Sequence, residues 1–307
     1  MQNRIELARS LLPCDPDQIT KSELLQFTKN ILSAYGFRPR RKKGQHFLIN
    51  PEVLKFILLN TNPKSDEIIM EIGGGIGTLS LFLASKAKQL IIIENDHNLI
   101  EILSILLRDF SNVVILPGDA CNIEWPQFDK LVSNLPYQIS SPITLKLTRE
   151  KFSEAIITYQ LEFAQRLLAS AGDREYSRIS VQSTLFFKTT LLRKLSREAF
   201  FPSPNITSAI VKITPRRDIP KINLDLFEKF LTLLFSRKNK KVVNNLIPYF
   251  KRHGKHISCL VEKVLYLLMM QDKRPLHLYS HEILQLFNNL HVSFQSHGIS
   301  FTEILQL

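Results

Sequence analysis

The sequence predicts a doubly wound α/β sheet followed by a small helical domain, and three observations carry that prediction. Short, almost wholly apolar runs alternate with helical stretches between about residues 38 and 217. Four of the ten glycines in the chain crowd into positions 73–77, where one such run gives way to a helix. Beyond Pro215 and Pro220 the apolar residues change to helical spacing. Near-continuous apolar runs suit parallel strands buried on both faces, and strands alternating with helices build an open α/β sheet. The expected divisions are a helical extension at 1–37, the α/β domain at 38–217 and a basic helical domain at 218–307.

Taken in order, residues 1–37 are expected to hold two helices. The second opens with Thr20-Lys21-Ser22-Glu23, a capping box placed before Leu24, Leu25 and Phe27. The run Arg38-Pro39-Arg40-Arg41-Lys42-Lys43 then leads into Gly44-Gln45-His46-Phe47-Leu48. Strands are predicted at Ile68–Ile72, Gln89–Ile93, Val113–Leu116, Lys130–Ser133 and Ala155–Tyr159, with helices over Thr78–Ser85 and Asn98–Phe110. Val181–Leu192 and Ile206–Ile213 are expected to be two further strands, forming the antiparallel edge that large sheets often carry. Past the prolines, Phe227, Phe230, Leu231, Leu234 and Phe235 fall on one helical stripe, followed by Arg237, Lys238, Lys240 and Lys241. No internal repeat and no low-complexity tract interrupts this pattern.

The 307 residues are 44% hydrophobic and 22% charged, the balance of a globular protein. No stretch reaches the roughly 18 unbroken apolar residues of a membrane span. Glu6, Asp15 and Asp17 make the first twenty residues unlike a secretory or transit signal, so a cytoplasmic location is expected. Cys14, Cys121 and Cys259 form no paired motif, which argues against a disulfide framework and against a metal site. The net charge of +12 is localised. Residues 28–50 hold six Lys/Arg and no acid, and residues 219–307 hold twelve Lys/Arg against six acids, while the remainder sums to zero. Two basic segments flanking a neutral core mark a footprint for a polyanion. Nucleic acid is favoured over membrane because no strongly amphipathic basic helix with aromatic anchors is present. Arg40, Arg41, Lys42, Lys43, Arg237, Lys238, Lys240 and Lys241 are the candidate contacts, and a solvated basic face is the plain alternative.

The glycine turn Glu71-Ile72-Gly73-Gly74-Gly75-Ile76-Gly77 lets a ligand approach backbone where a Cβ would obstruct it. A dinucleotide fingerprint would require glycine at position 78, which is Thr78; glycines at 73, 75 and 77 match the spacing of methyltransferases that bind S-adenosylmethionine. Glu94 closes the second strand, where a carboxylate can accept from both ribose hydroxyls, and Asp119, in Gly118-Asp119-Ala120, follows the third. Gly73, Gly75, Glu94, Asp119 and Ala120 are therefore the candidate donor contacts. Each acid alone could equally cap a helix, but three successive strand ends carrying Gly, Glu and Asp point to a ligand.

Asn134-Leu135-Pro136-Tyr137 ends the fourth strand, next to that pocket. An aromatic amine is a poor nucleophile, because its lone pair is delocalised. The Asn134 oxygen and the Leu135 carbonyl can accept its two hydrogens, Pro136 fixes the turn, and Tyr137 can stack on an unstacked base. Phe200-Phe201-Pro202-Ser203-Pro204 offers Phe200 or Phe201 as a second stacking ring, or else as a hydrophobic clamp.

These motifs resemble the small-subunit ribosomal RNA adenine N6,N6-dimethyltransferases, the kasugamycin-sensitivity family. The resemblance runs from about Tyr35 to Leu290, with weaker support from Gln182–Phe187 and Phe235–Asn245. It implies a Rossmann-like S-adenosylmethionine-dependent methyltransferase sheet with a small C-terminal helical domain. It further implies that His46, Leu48, Gly73, Glu94, Asp119 and Asn134 contact S-adenosylmethionine while Asn134, Leu135 and Tyr137 hold the base. The implied reaction dimethylates two adjacent adenosines near the 3′ end of small-subunit rRNA during ribosome biogenesis, the partner being that rRNA within an assembling small subunit and the enzyme a monomer. His46 and Gln138-Ile139-Ser140-Ser141-Pro142 depart from the bacterial pattern and resemble archaeal and eukaryotic members. Rival readings are a large-subunit adenine dimethyltransferase, which Leu135 disfavours, and a non-catalytic RNA-binding assembly factor, which the intact Asn134 and Glu94 disfavour.

Overall fold

The computed structural model describes residues 16–40 and 44–305. Arg41, Lys42, Lys43, Cys14 and the first of the two expected N-terminal helices lie outside the described residues. In chain order the elements are α1 (Lys21–Ala34), β1 (Phe47–Leu48), α2 (Pro51–Thr61), β2 (Ile68–Ile72), α3 (Thr78–Ala84), β3 (Gln89–Glu94), α4 (His97–Leu106), β4 (Val113–Pro117) and β5 (Lys130–Asn134). There follow α5 (Ser140–Leu147), β6 (Glu154–Gln160), α6 (Leu161–Leu168), α7 (Arg178–Phe186), β7 (Phe187–Leu195), β8 (Phe200–Phe201) and β9 (Ser208–Pro215). The C-terminal helices are α8 (Leu224–Leu234), α9 (Val242–Lys251), α10 (Lys255–Leu267), α11 (Ser280–Ser296) and α12 (Phe301–Ile304).

Seven strands form one sheet in the order β4-β3-β2-β5-β6-β9-β7. The first five are parallel, and β9 runs antiparallel to β6. The order reverses between β2 and β5, so the carboxyl ends of these two strands flank the switch point where open α/β sheets bind ligands. Four of the five apolar runs read from the sequence are buried strands, with Ile69, Leu90, Ile92, Leu131, Val132 and Ile157 all fully buried. The fifth, β4, lies at the sheet edge and leaves Val114 37% exposed, so it is not buried on both faces as expected. Lys130 opens β5 from inside this core. Its ammonium is neutralised by Glu67 at 3.0 Å and Glu154 at 3.3 Å and donates to the Thr61 carbonyl at 2.8 Å, the pairing a buried cation requires. The fold is a Rossmann-like, doubly wound sheet with an antiparallel edge.

Contacts divide the chain into two compact units. One comprises the described residues up to Ala164 together with Thr189–Pro215; the other comprises Gln165–Lys188 and the residues from Arg216 onward. Two expectations are corrected here. The segment Val181–Leu192 is not one strand: Arg178–Phe186 is helical, and only Phe187–Leu195 is extended. The reason is a helix start overlooked in the sequence, since the Ser177 N–H donates to Ser180 Oγ at 3.0 Å in a capping box. This helix packs on α11 inside the second unit, so residues 165–188 leave the α/β unit to which they had been assigned. The second correction concerns the N-terminal extension. The capping box at Thr20 and Glu23 is present, but Leu24, Phe27 and Ile31 of α1 belong to the same core as Leu54, Leu83 and Ile92. The helix is a part of the α/β unit rather than an appendage.

The second unit is built on the predicted stripe. Phe227, Phe230, Leu231 and Leu234 are fully buried against Phe250, Phe287 and Phe294. Phe235 is partly buried and meets Tyr176 edge-on, with ring centroids 5.8 Å apart.

Candidate active site

Beyond the carboxyl ends of β2, β3 and β5 lies a cavity of about 300 Å³. The backbone turn after β2 forms its floor. Gly73 takes φ +75° and Gly75 φ +57°, and an added Cβ would stand 3.1 Å from Pro136 Cδ and 3.2 Å from the Phe47 ring, respectively. Side chains at these two positions would be strained in conformation and would press on the segments that close the pocket. His46, Leu48, Gly73, Gly75, Glu94, Asp119, Ala120, Asn134 and Pro136 all line this cavity. The structure thus gathers every candidate donor contact into one place.

Glu94 is held open for a ligand by backbone donors. Its Oε1 accepts from the Asn95 and Asp96 N–H groups at 2.9 and 3.0 Å, and its Oε2 accepts from the Gly75 N–H at 3.1 Å. A carboxylate offers about four lone-pair sites; three are filled here, so one remains, on Oε2, for a ribose hydroxyl. Burial raises its pKa, and the three backbone hydrogen bonds oppose that rise. Asp119 accepts from the Cys121 N–H and from Asn122 Nδ2, both at 2.9 Å. The Ala120 carbonyl receives Trp125 Nε1 at 2.8 Å and Lys146 Nζ at 3.1 Å, and Lys146 lies 4.8 Å from the Trp125 ring centre. Lys146 sits on α5, directly after the Asn-Leu-Pro-Tyr turn, and so ties the acceptor segment to the loop bearing Asp119. The Cys121 thiol is pushed up to about 11 by burial and by Asp119, which keeps it protonated and unreactive.

Asn134 has one polar end committed. Its Nδ2 donates to the His46 carbonyl at 2.9 Å, which fixes the amide orientation and leaves Oδ1 as the acceptor. The Leu135 side chain is buried. Tyr137 opens a single 3₁₀ turn, Tyr137–Ile139, and its hydroxyl is paired with Ser208 Oγ at 2.6 Å. Its ring stacks on His46 with centroids 5.9 Å apart and an interplanar angle of 26°. His46 Nδ1 lies 2.7 Å from the Pro202 carbonyl oxygen, which requires the proton on Nδ1. Tyr137 and His46 line a second cavity of about 190 Å³, and Gly44, His46 and Gln138 are walls of both cavities.

Phe200 is the clearest correction to the expected site. It is 2% exposed and belongs to the core of the α/β unit, because β8 pairs with β1 in the register Leu48↔Phe200 and Phe47↔Phe201. Its ring has no face to offer a base. Phe201 is partly buried against that core, with Lys29 Nζ 5.7 Å from its ring centre, and lines neither cavity. What this loop contributes is the Pro202 carbonyl and, at the second cavity, Pro204, Asn205 and Ile206.

Several residues escaped sequence reasoning. Gln45 is buried and bridges the Arg40 N–H, at 2.8 Å, to Asp96 at 3.1 Å. Ser208 and Lys146 act across the sheet, at separations no local pattern reveals. Glu71 was read only as part of the glycine turn. It is buried beneath the first cavity, receives the Ser80 hydroxyl at 2.6 Å, and has its pKa raised from 4.5 to about 8, chiefly by burial. Its folded-state pKa exceeds its unfolded value, so the stability linked to its proton is complete below pH 4.5 and is lost as pH rises toward 8. Glu71→Gln keeps an acceptor for Ser80 and removes the titration. The melting temperature of the variant is therefore expected to gain on that of the parent steadily from pH 5 to 8. A pH-independent difference between the two would contradict this.

The basic residues fare unevenly. Arg237 Nε bonds Asn245 Oδ1 at 3.3 Å, and its guanidinium also reaches the Asn244 carbonyl. Lys238 Nζ donates to the Arg174 carbonyl at 2.6 Å and to the Tyr176 carbonyl at 3.1 Å. Lys241 pairs with Asp272 at 2.6 Å. Lys240 is exposed, and its side chain makes no hydrogen bond or ion pair among the described residues. Arg40 is exposed, and its backbone N–H donates to Gln45.

The comparisons with known proteins agree with this geometry. The family model for ribosomal RNA adenine dimethylase matches residues 36–284. A protein named "Probable ribosomal RNA small subunit methyltransferase A" from Pyrococcus abyssi is 37% identical over 258 residues, covering 83% of this chain and 93% of that protein. Its namesake from Methanosphaera stadtmanae is 43% identical over 240 residues, covering 77% of this chain and 88% of the other. Among solved structures, a dimethyladenosine transferase from Plasmodium falciparum superposes with a TM-score of 0.72 at 32% identity, over 83% of this chain and all of that one. The 23S rRNA methyltransferase ErmE superposes with a TM-score of 0.58 at 25% identity, over 80% and 99% of the two chains.

Proposed function

Since the chain belongs to the ribosomal RNA adenine dimethylase family, we propose that its two adjoining cavities carry out N6,N6-dimethylation of two adjacent adenosines near the 3′ end of small-subunit rRNA, during ribosome biogenesis. The protein is an rRNA adenine dimethyltransferase, and S-adenosylmethionine is its donor. The observation that carries the proposal is the Asn134 amide, which lines the first cavity and is anchored by its nitrogen to the carbonyl of His46, a wall of both cavities.

When bound, S-adenosylmethionine supplies an electrophilic methyl group on a sulfonium. The residues present fit such a donor. The glycine turn admits its backbone-hugging portion, Glu94 Oε2 has one acceptor site left for a ribose hydroxyl, and Asp119 with Ala120 can flank the adenine. Asn134 Oδ1 and the Leu135 carbonyl accept the two N6 hydrogens of the target base, drawing its nitrogen toward a pyramidal geometry with the lone pair aimed at the methyl carbon. The Tyr137 ring, pinned by Ser208 and His46, supplies a face on which the unstacked base rests. In the displacement a nitrogen–carbon bond forms, the carbon–sulfur bond breaks with its electron pair passing to sulfur, and an N6 proton leaves to solvent. Catalysis is then mainly positioning, with electrostatics second.

Relatives of this chain carry small-subunit names, which supports that subunit over the large one. Basic residues of the second unit, Lys240 foremost, are assigned to the rRNA, with the substrate an assembling small subunit and the enzyme acting as a monomer in the cytoplasm. No helix among the described residues is long and apolar enough to cross a membrane. Lys240→Glu is expected to weaken RNA binding and to lower the salt-dependence slope by about one unit. Lys238→Ala is expected instead to lower the melting temperature, because it strips the Arg174 and Tyr176 carbonyls of their donor. Equal effects of the two substitutions on the salt slope would overturn this division. The function itself is tested by incubating the protein with labelled donor and each immature ribosomal subunit, then mapping the modified nucleotides. Label confined to a pair of neighbouring small-subunit adenosines is expected; label elsewhere, or none, overturns the proposal.

A further inference from the structure

We propose that Gln160 reads N1 of the target adenine and holds the base in place between the first and second methyl transfers. This inference rests on the dimethyltransferase reading above. Gln160 is the last residue of β6 and lines the cavity that contains Tyr137 and His46. Strand register places it. Asn134 of β5 pairs with Thr158, and Gln160 pairs with Ser208 of β9. Paired residues and residues two apart along a strand share a face, so Asn134, Gln160 and Ser208 project on the same side of the sheet. Ser208 is the residue that holds the Tyr137 hydroxyl, 2.6 Å away. Gln160 thus stands beside the base-stacking ring, one strand over from the amide that takes the amine and about 7 Å further along the strand direction. It is half-buried, and its side-chain amide makes no hydrogen bond among the described residues. A partly buried primary amide without a partner, aimed into a cavity, is a recognition group awaiting one.

The chemistry of the substrate says which group it meets. Adenine presents on one edge the N6 amine, the N1 acceptor and C2–H. With N6 at Asn134 and the ring on Tyr137, the next acceptor on that edge is N1, and the Gln160 NH₂ can donate to it. Guanine fails twice, presenting an oxygen to Asn134 and an N1–H to the Gln160 donor. The contact also differs in kind from those at N6. Asn134 Oδ1 and the Leu135 carbonyl take the two amine hydrogens, and the first transfer replaces one of these by methyl, so one of the two contacts is lost before the second transfer begins. N1 is unchanged by either transfer. The anchor at Gln160 therefore bears most of the positioning in the second step.

The test is single-turnover methylation of immature small subunits, with mono- and dimethyladenosine quantified over time for the parent, Gln160→Met and Gln160→Ala. Binding of S-adenosylhomocysteine serves as the check that each variant is folded. Both variants are expected to slow the second transfer about tenfold more than the first, so that monomethyladenosine accumulates. On RNA carrying 1-deazaadenosine at the target positions, which lacks the N1 acceptor, parent and variants are expected to give the same product ratio. A parent-like ratio in both folded variants overturns the proposal, and so does a variant penalty that persists undiminished on the 1-deaza substrate. Failure of the parent protein to modify adenosine at all would instead overturn the dimethyltransferase reading itself.

Discussion

Asn134→Ala is expected to cut the rate of methyl transfer by on the order of 10³, the cost of removing a preorganised polar group that acts on the reacting atom. Donor affinity should fall by no more than about tenfold, the equivalent of one hydrogen bond. The asymmetry follows from how the side chain is held. Its nitrogen is spent on the His46 carbonyl at 2.9 Å, so its oxygen is the end left for the substrate amine. Asn134→Asp separates the two ends: it retains an acceptor for the amine but turns a second oxygen toward the His46 carbonyl, and is expected to be impaired through misplacement. Rapid-quench measurement of the first turnover at saturating donor, paired with calorimetric titration of S-adenosylhomocysteine, reads both quantities. Near-parental turnover in Asn134→Ala would remove this residue from the reaction.

Glu94→Ala should do the reverse, weakening donor binding by about 10²-fold or more while leaving turnover at saturating donor largely intact. A hydrogen bond from a ribose hydroxyl to a charged acceptor, at ~1.5–3 kcal/mol, together with loosening of the glycine turn, accounts for that loss. The variant also strips the Gly75, Asn95 and Asp96 N–H groups of their acceptor. Burial raises the Glu94 pKa, so the acid limb of donor affinity should begin at a higher pH than for an ordinary carboxylate. Stronger binding with rising pH through that limb, lost in Glu94→Gln, would identify the group. An unchanged dissociation constant in Glu94→Ala would show that its carboxylate serves only the backbone of the turn.

Much of the lining of the first cavity was legible in the sequence, because its parts are punctuated by strand ends. The Gly73–Gly77 turn, Glu94, Asp119 and Asn134 each follow an apolar run that marks a strand, and the α/β topology then brings those ends together. The acceptor side was legible only in part. Phe200 and Phe201 looked like stacking rings because an aromatic pair beside prolines gives no sign of which way it faces; the pairing of β8 with β1 turned Phe200 inward. The partners that fix the site, Ser208 on Tyr137, Lys146 on Ala120 and Pro202 on His46, join residues 71, 26 and 156 positions apart. Such contacts belong to packing and leave no local period. The strand expected at Val181–Leu192 failed on a short-range signal instead, the serine pair at Ser177 and Ser180 that starts a helix. In the basic cluster charge was read correctly but availability was not, since Arg237, Lys238 and Lys241 already have partners within their own unit.

The stretch of sequence shared with relatives and the stretch that folds are not the same length. The family model begins at residue 36 and stops at 284, yet Leu24, Phe27 and Ile31 wall the core of the first unit, and Phe294, Phe301 and Ile304 wall that of the second. Each such side chain contributes roughly 1.5–3 kcal/mol by its burial, against a net stability of about 5–15 kcal/mol for a whole domain. An expression clone trimmed to the homologous span would therefore discard most of its safety margin at both ends, and would yield insoluble material before any question of chemistry could be put to it.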